Sequence, residues 1–371
     1  MTTKPQLILS ALALTGLWLS PGAPRAATLN WNCTSDNWAT TTCWSPNGTP
    51  TGADDVSIFT VGGADTGLTI DTTTGAAVAN TVTVDATAPT TVTVDQSGGS
   101  LAAGWEYVGD SGTGAFTQSG GTNTVDFSLY LGSNSTGSGS YDLSGTGSLA
   151  AGLEYVGYSG TGVFTQRGGT NTVATTLTLA KNAGATGTYH LAGGQLTAAT
   201  VQVNSGGTFD FTGGRLSVGT FNGDLTNQGG TLAPGASPGA TTISGDYTVS
   251  DPAAVLEIEL GGLLTSEYDH VAVSGTANLG GLLEVLLWGG FTPGLGDTFD
   301  LLTATTISGT FDSLAFPALG GGLAFNLAYL LDPNGIDIAR LTVQAVPEPA
   351  SMALVASALL GVIGLARRRR G

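Results

Sequence analysis

Between residues 75 and 240 the apolar positions fall in short alternating runs of three to five residues, each closed by glycine or serine. Period-two alternation bounded by turn residues predicts strands. Glu106-Tyr107-Val108 and Leu129-Tyr130-Leu131 are such runs, each followed by a Gly/Ser turn, an aromatic strand and a Gly-Gly turn. The pattern then repeats. Residues 101–125 read LAAGWEYVGDSGTGAFTQSGGTNTV and residues 149–173 read LAAGLEYVGYSGTGVFTQRGGTNTV, identical at 21 of 25 positions and offset by 48. A half-period echo carries Phe116, Tyr141, Phe164, Tyr189 and Phe209, spaced by 25, 23, 25 and 20 residues.

Short strands and glycine turns at a period of 20 to 25 residues suit one coil of a β-solenoid. Each coil stacks about 4.8 Å above the last, so equivalent residues form ladders. Phe and Tyr are expected to fill the core, Gly-Gly pairs to turn corners that need positive φ, and Asn123 and Asn171 to extend an amide ladder. A β-propeller, whose blades also repeat near 45 residues, is the rival, but two clear copies are too few to close a ring.

Composition sharpens this picture. Glycine numbers 59 and charged residues make up only 10% of the chain. The regular Val, Leu, Phe and Tyr positions supply apolar surface to bury, so the reading is ordered β structure, not disorder. Outside the two end segments the cations are Arg167, Lys181, Arg215 and Arg340 against 26 acids, a net charge of −22. Such a surface repels nucleic acid and anionic lipid.

The ends of the chain carry address signals. Lys4, the apolar stretch Leu7 to Leu19, and Ala23, Ala26 and Ala27 after Pro21 and Pro24 are arranged as in a secretory signal peptide. At the other end stand Val346, Pro347, Glu348 and Pro349, then the uncharged run 350–366, then Arg367, Arg368, Arg369 and Arg370. The run is at the short end of what spans a bilayer as a helix, and the arginines stay cytoplasmic by the positive-inside rule. The order of Pro-Glu-Pro, apolar helix and arginine cluster resembles the PEP-CTERM sorting tail of Gram-negative bacteria that make exopolysaccharide. The resemblance implies recognition by exosortase, cleavage near Pro347-Glu348-Pro349, and an inner-membrane precursor that passes to the cell surface or outside. Exopolysaccharide is the further partner it implies.

Two flanking segments carry a second resemblance. Trp31, Trp38 and Trp44 with Asp54-Asp55-Val56-Ser57-Ile58 resemble the opening of autotransporter-type β-helix passengers, where tryptophans cover the first coil. The stretch from Gly229, GGTLAPGASPGATTISGDYTV, with the later Tyr268-Asp269 and Gly296-Asp297-Thr298-Phe299 segments, resembles the tail of such passengers. Autotransporters end in a membrane β-barrel of alternating strands. Here the last segment is one apolar run, so the likeness does not extend to self-translocation.

Candidate chemistry is sparse. Cys33 and Cys43 stand ten apart, and export makes a disulfide the expected state, worth roughly 2 to 3 kcal/mol. Two thiols without a nearby histidine supply half a tetrahedral zinc site, and the redox C-x-x-C spacing is absent. Glu106 and Glu154 occupy the same repeat position, about 10 Å apart on a regular ladder, marginal for an inverting glycosidase pair. They are read as solvent-facing strand residues. Asp269 beside His270 is read as a turn aspartate next to a surface histidine, and His190 as an exposed strand residue. Glu257 and Glu259 share one strand face, taken as the wet one, with Asp251 nearby; a calcium-type nonapeptide repeat or D-x-D-x-D-G loop is missing.

The sequence therefore predicts an all-β chain: a right-handed parallel β-helix with a C-terminal β-rich region and one C-terminal transmembrane helix. Its segments are a signal peptide (1–27), an N-terminal cap (28–74), solenoid repeats (75–240), a β-rich region (241–345) and the sorting tail (346–371), with the helix at 350–366. Catalytic residues, metal and cofactor are not expected. A surface or matrix structural and adhesive role is favoured, with a polysaccharide lyase or hydrolase as the alternative.

Overall fold

A computed structural model describes residues 27–333 and 335–346. These residues wind into a parallel β-solenoid of about 11 turns. One turn is seen in the run Val92–Val108, where register shifts after Gln96, after Ser97 and after Ala103 divide it into three facets. The next turn, Thr113–Leu131, lies parallel on it, each facet in register with the facet below. One coil thus takes 22 to 25 residues here, and the 48-residue sequence repeat is two coils, one step of 25 and one of 23. The propeller alternative falls because every coil pairs along its length with the coils before and after it.

The aromatic echo becomes the core. Phe116, Tyr141, Phe164, Tyr189 and Phe209 pair in direct register. Their ring centroids are 4.8, 5.0, 4.6 and 5.5 Å apart, with planes tilted by no more than 17°. The coil rise equals the distance at which rings stack, and each such pair adds about 0.5 to 1.5 kcal/mol beyond its burial. The Gly-Gly corner is as strictly set. Gly121 has φ +71°, and a Cβ there meets the carbonyl oxygens of Gly98 and Gly99 at 2.5 Å, so the coil below leaves no room for a side chain.

Both ends of the rod are closed. At the start Trp31, Trp38 and Trp44 are buried, with Trp44 edge-on to both others and its Nε1 donating to the Trp38 carbonyl at 2.8 Å. Cys33 and Cys43 form a disulfide beside this cluster, with Cα atoms 5.2 Å apart. At the far end the parallel pattern changes. Strand Thr298–Gly309 pairs antiparallel with Asp337–Ala345, which pairs antiparallel with Leu323–Leu331. An antiparallel hairpin offers the coil below a strand of opposite direction, which stops further parallel stacking on that facet.

Helix is confined, among the described residues, to a single 3₁₀ turn at Thr41–Cys43. No helix among them is long and apolar enough to cross a membrane. The apolar run 350–366 and residues 1–26, on which the expected signal peptide falls, lie outside the described residues.

Candidate functional site

The three facets of each coil turn their inward side chains toward one interior, and at two levels that interior is polar. Glu106 comes from the third facet of one coil, Gln118 and Asn123 from the first and second facets of the next, and Tyr141 from the first facet of the coil above. Asn123 Nδ2 donates to Glu106 Oε2 at 3.1 Å and lies 3.2 Å from the Tyr141 hydroxyl. That hydroxyl donates to Gln118 Oε1 at 2.7 Å. Forty-eight residues on, Glu154, Asn171, Tyr189 and Gln166 repeat the cluster, with distances of 3.1, 3.1 and 2.6 Å.

Glu106 and Glu154 are therefore not on the solvent-facing side expected from the sequence. Both are buried, separated along their ladder by Leu129. The physical reason is that a carboxyl can sit inside when it is neutral and hydrogen-bonded. Burial raises Glu106 to about 7 and Glu154 to about 8, with the Asn donor pulling each partly back. In each cluster Glu Oε1 and Asn Oδ1 are left over, both acceptors when the acid is ionised. A proton on the carboxyl supplies the missing donor, while burial also pushes the Tyr141 and Tyr189 phenols well up. The expected continuous amide ladder does not form either. Leu149 stands between Asn123 and Asn171, because the 48-residue repeat spans two coils.

Asp269 departs from expectation in the same way. It is buried and accepts from the backbone N–H of Gly239, in the loop before strand Ala240–Ile243, and of Glu259, in strand Val255–Leu260, tying the two together. Burial raises it to about 7 against those two hydrogen bonds. His270 beside it is half-buried and contacts the Tyr268 carbonyl, so the two form no acid-base pair with each other. Glu257 and Glu259 do share a face, but it is covered. Glu257 is held by Arg215 through two bonds of 2.7 Å, and Glu259 is buried. His190 is on a strand, partly exposed, 2.8 Å from Asp210.

The sequence reading missed an outer feature of the same coils. Tyr107, Tyr130 and Tyr155 are in register on the outward side of the third facet. Their rings stack at 4.8 and 5.0 Å, and Tyr158 meets Tyr130 and Tyr155 edge-on at 5.2 and 5.1 Å. Two residues earlier on the same strand Trp105 stacks on Phe127 at 4.5 Å, and Phe127 is 51% exposed. The Lys181 ammonium lies 6.0 Å above the Tyr155 ring. The signal was present: Tyr130 alternates with Leu129 and Leu131, which are both inside.

Residues 345–370 match the model of the PEP-CTERM protein-sorting motif. The chain carries a PEP-CTERM sorting signal. No curated protein matches the chain. The signal implies processing by exosortase and an exported protein. Of the sorting residues only Val346 is among those described; its N–H donates to the Gly322 carbonyl at 2.7 Å, so the tail leaves directly from the closing hairpin. Pro347, Glu348, Pro349 and Arg367 to Arg370 lie outside the described residues.

Proposed function

We propose that this protein is a structural and adhesive component of the cell envelope or extracellular matrix, without catalytic activity. Residues 350–366 hold its precursor in the inner membrane, and the exported form associates with exopolysaccharide. The observation that carries the reading is the placement of the duplicated carboxyls. Glu106 and Glu154, the repeat's own acids, are sealed inside the rod and bonded to Asn123 and Asn171. A polymer on the outside has no access to them, so the repetition serves to lengthen a rod and multiply its surface. Hydrolysis needs two carboxyls that reach the same glycosidic bond.

A dense parallel rod closed at both ends suits load-bearing and display. Its net charge of −22 keeps copies apart in solution and leaves uncharged polymers free to approach. The test is to incubate the exported protein with the polysaccharide of the cell that makes it. The proposal expects the polysaccharide to stay with the protein on a pull-down and to keep its chain length. Shortening of the chains, or their complete recovery in the unbound fraction, overturns it.

A further inference from the structure

We propose that the outer aromatic rows of residues 105–158 form a binding site for a linear, uncharged polysaccharide lying along the axis of the rod. This assignment rests on the adhesive reading above and specifies its ligand and its contact residues. Five side chains and one cation carry it: Phe127, Trp105, Tyr107, Tyr130, Tyr155 and Lys181.

The rows run across successive coils. Tyr107, Tyr130 and Tyr155 succeed one another at 4.8 and 5.0 Å, one ring per coil, with Thr83 below and Thr178 above in the same register. An array that repeats one contact at a fixed step suits a polymer that repeats one sugar. Stacking consumes the inner ring faces, so the tyrosines present their edges and a file of hydroxyls. Burial and their mutual proximity raise Tyr107 and Tyr155, so these hydroxyls stay protonated donors. The Trp105 and Phe127 pair, two residues before Tyr107 and three before Tyr130 on their strands, adds apolar surface. A pyranose ring offers the complement: C–H bonds on its faces for the exposed Phe127 ring, and hydroxyls around its rim for the phenols.

Charge decides between polymers. Nucleic-acid bases also stack on aromatic rings, but every phosphate would meet a surface of net charge −22, with Asp126 next to Phe127 and Asp110 acting on Tyr107. Polyuronates meet the same repulsion. An uncharged glycan meets none. Among the described residues Arg167, Arg215 and Arg340 are each paired with a carboxylate, while Lys181 sits over the end of the tyrosine row without one. Its ammonium offers donors to sugar hydroxyls where the row ends.

The test is native electrophoresis of the full-length protein in a polyoxyethylene detergent. Gels contain hydroxyethylcellulose, galactomannan, dextran or alginate, or no polysaccharide. Retardation in at least one neutral gel and none in alginate is expected. Tyr130→Ser and Phe127→Ser should each weaken that retardation at least tenfold while leaving the melting temperature within a few degrees, Phe127 being the more exposed of the two. Unchanged mobility in all three neutral gels overturns the assignment, as does retardation that survives both substitutions or is equal in alginate. If the pull-down with the cell's own polysaccharide succeeds while every neutral gel fails, the aromatic site is wrong and the adhesive reading stands.

Discussion

Replacing Glu154 with glutamine should abolish a loss of stability that the native protein suffers as pH rises. The reasoning starts from the folded carboxyl, which burial raises to about 8 from an ordinary 4.5. Below pH 4.5 the group is protonated both folded and unfolded, and the full stability is present. Between 4.5 and about 8 the unfolded chain releases its proton while the folded chain keeps it, so unfolding gains and stability falls. Above about 8 both forms are ionised and the loss is complete. Each tenfold change in proton affinity is worth about 1.4 kcal/mol. Glu154 alone therefore accounts for on the order of 5 kcal/mol of lost stability, and Glu106, raised to about 7, for on the order of 3. Glutamine keeps the shape and the acceptor for Asn171 but does not titrate.

The assay is urea unfolding of native protein, Glu154→Gln and the Glu106→Gln/Glu154→Gln pair at half-unit steps from pH 4.5 to 9. Comparison with the variants cancels the general repulsion among the other acids. The native midpoint should fall more steeply than either variant, with the gap opening between pH 5 and 8 and widest for the double substitution. Parallel curves for all three proteins would refute the buried neutral carboxyl as the source.

Other consequences concern packing. Phe164→Ala, which cuts the ring stack between Tyr141 and Tyr189, should cost about 3 to 5 kcal/mol in the same assay. Tyr141→Phe keeps the stack but removes the donor to Gln118 and should cost about 1 to 2 kcal/mol. Gly121→Ala, forced against two carbonyl oxygens at positive φ, should lower the midpoint well beyond the effect of Gly52→Ala, where a Cβ meets nothing within 4 Å.

Much of the fold could be read from spacing alone, because the coil length sets the interval at which an inward position recurs, and the coil rise lets rings at that position stack. The aromatic series from Phe116 to Phe209 is that constraint written in the sequence. The error at Glu106 came from letting a rule about charge override a rule about geometry. Glu106 shares its strand face with Val108, and Glu154 with Val156; both valines are inside. Alternation pointed inward, and the neutral form removes the objection. The tyrosines out of phase with those valines marked the outer row equally plainly. Asp269 and Glu257 were different. Their partners, Gly239 and Arg215, lie 30 and 42 residues away, and only the winding of the coils brings them together. The sorting tail was legible because its signal is a local order of residue types that needs no fold.

The measurement closest to the central claim is fractionation of a host that contains exosortase and expresses the protein with a tag after residue 28. Native protein is compared with a version carrying alanine at Pro347, Glu348 and Pro349. The account predicts that native protein reaches the surface or medium with a shortened C-terminus while the variant stays full-length in the inner membrane. Both proteins remaining full-length in the membrane would contradict sorting through the tail and, with it, the role outside the cell.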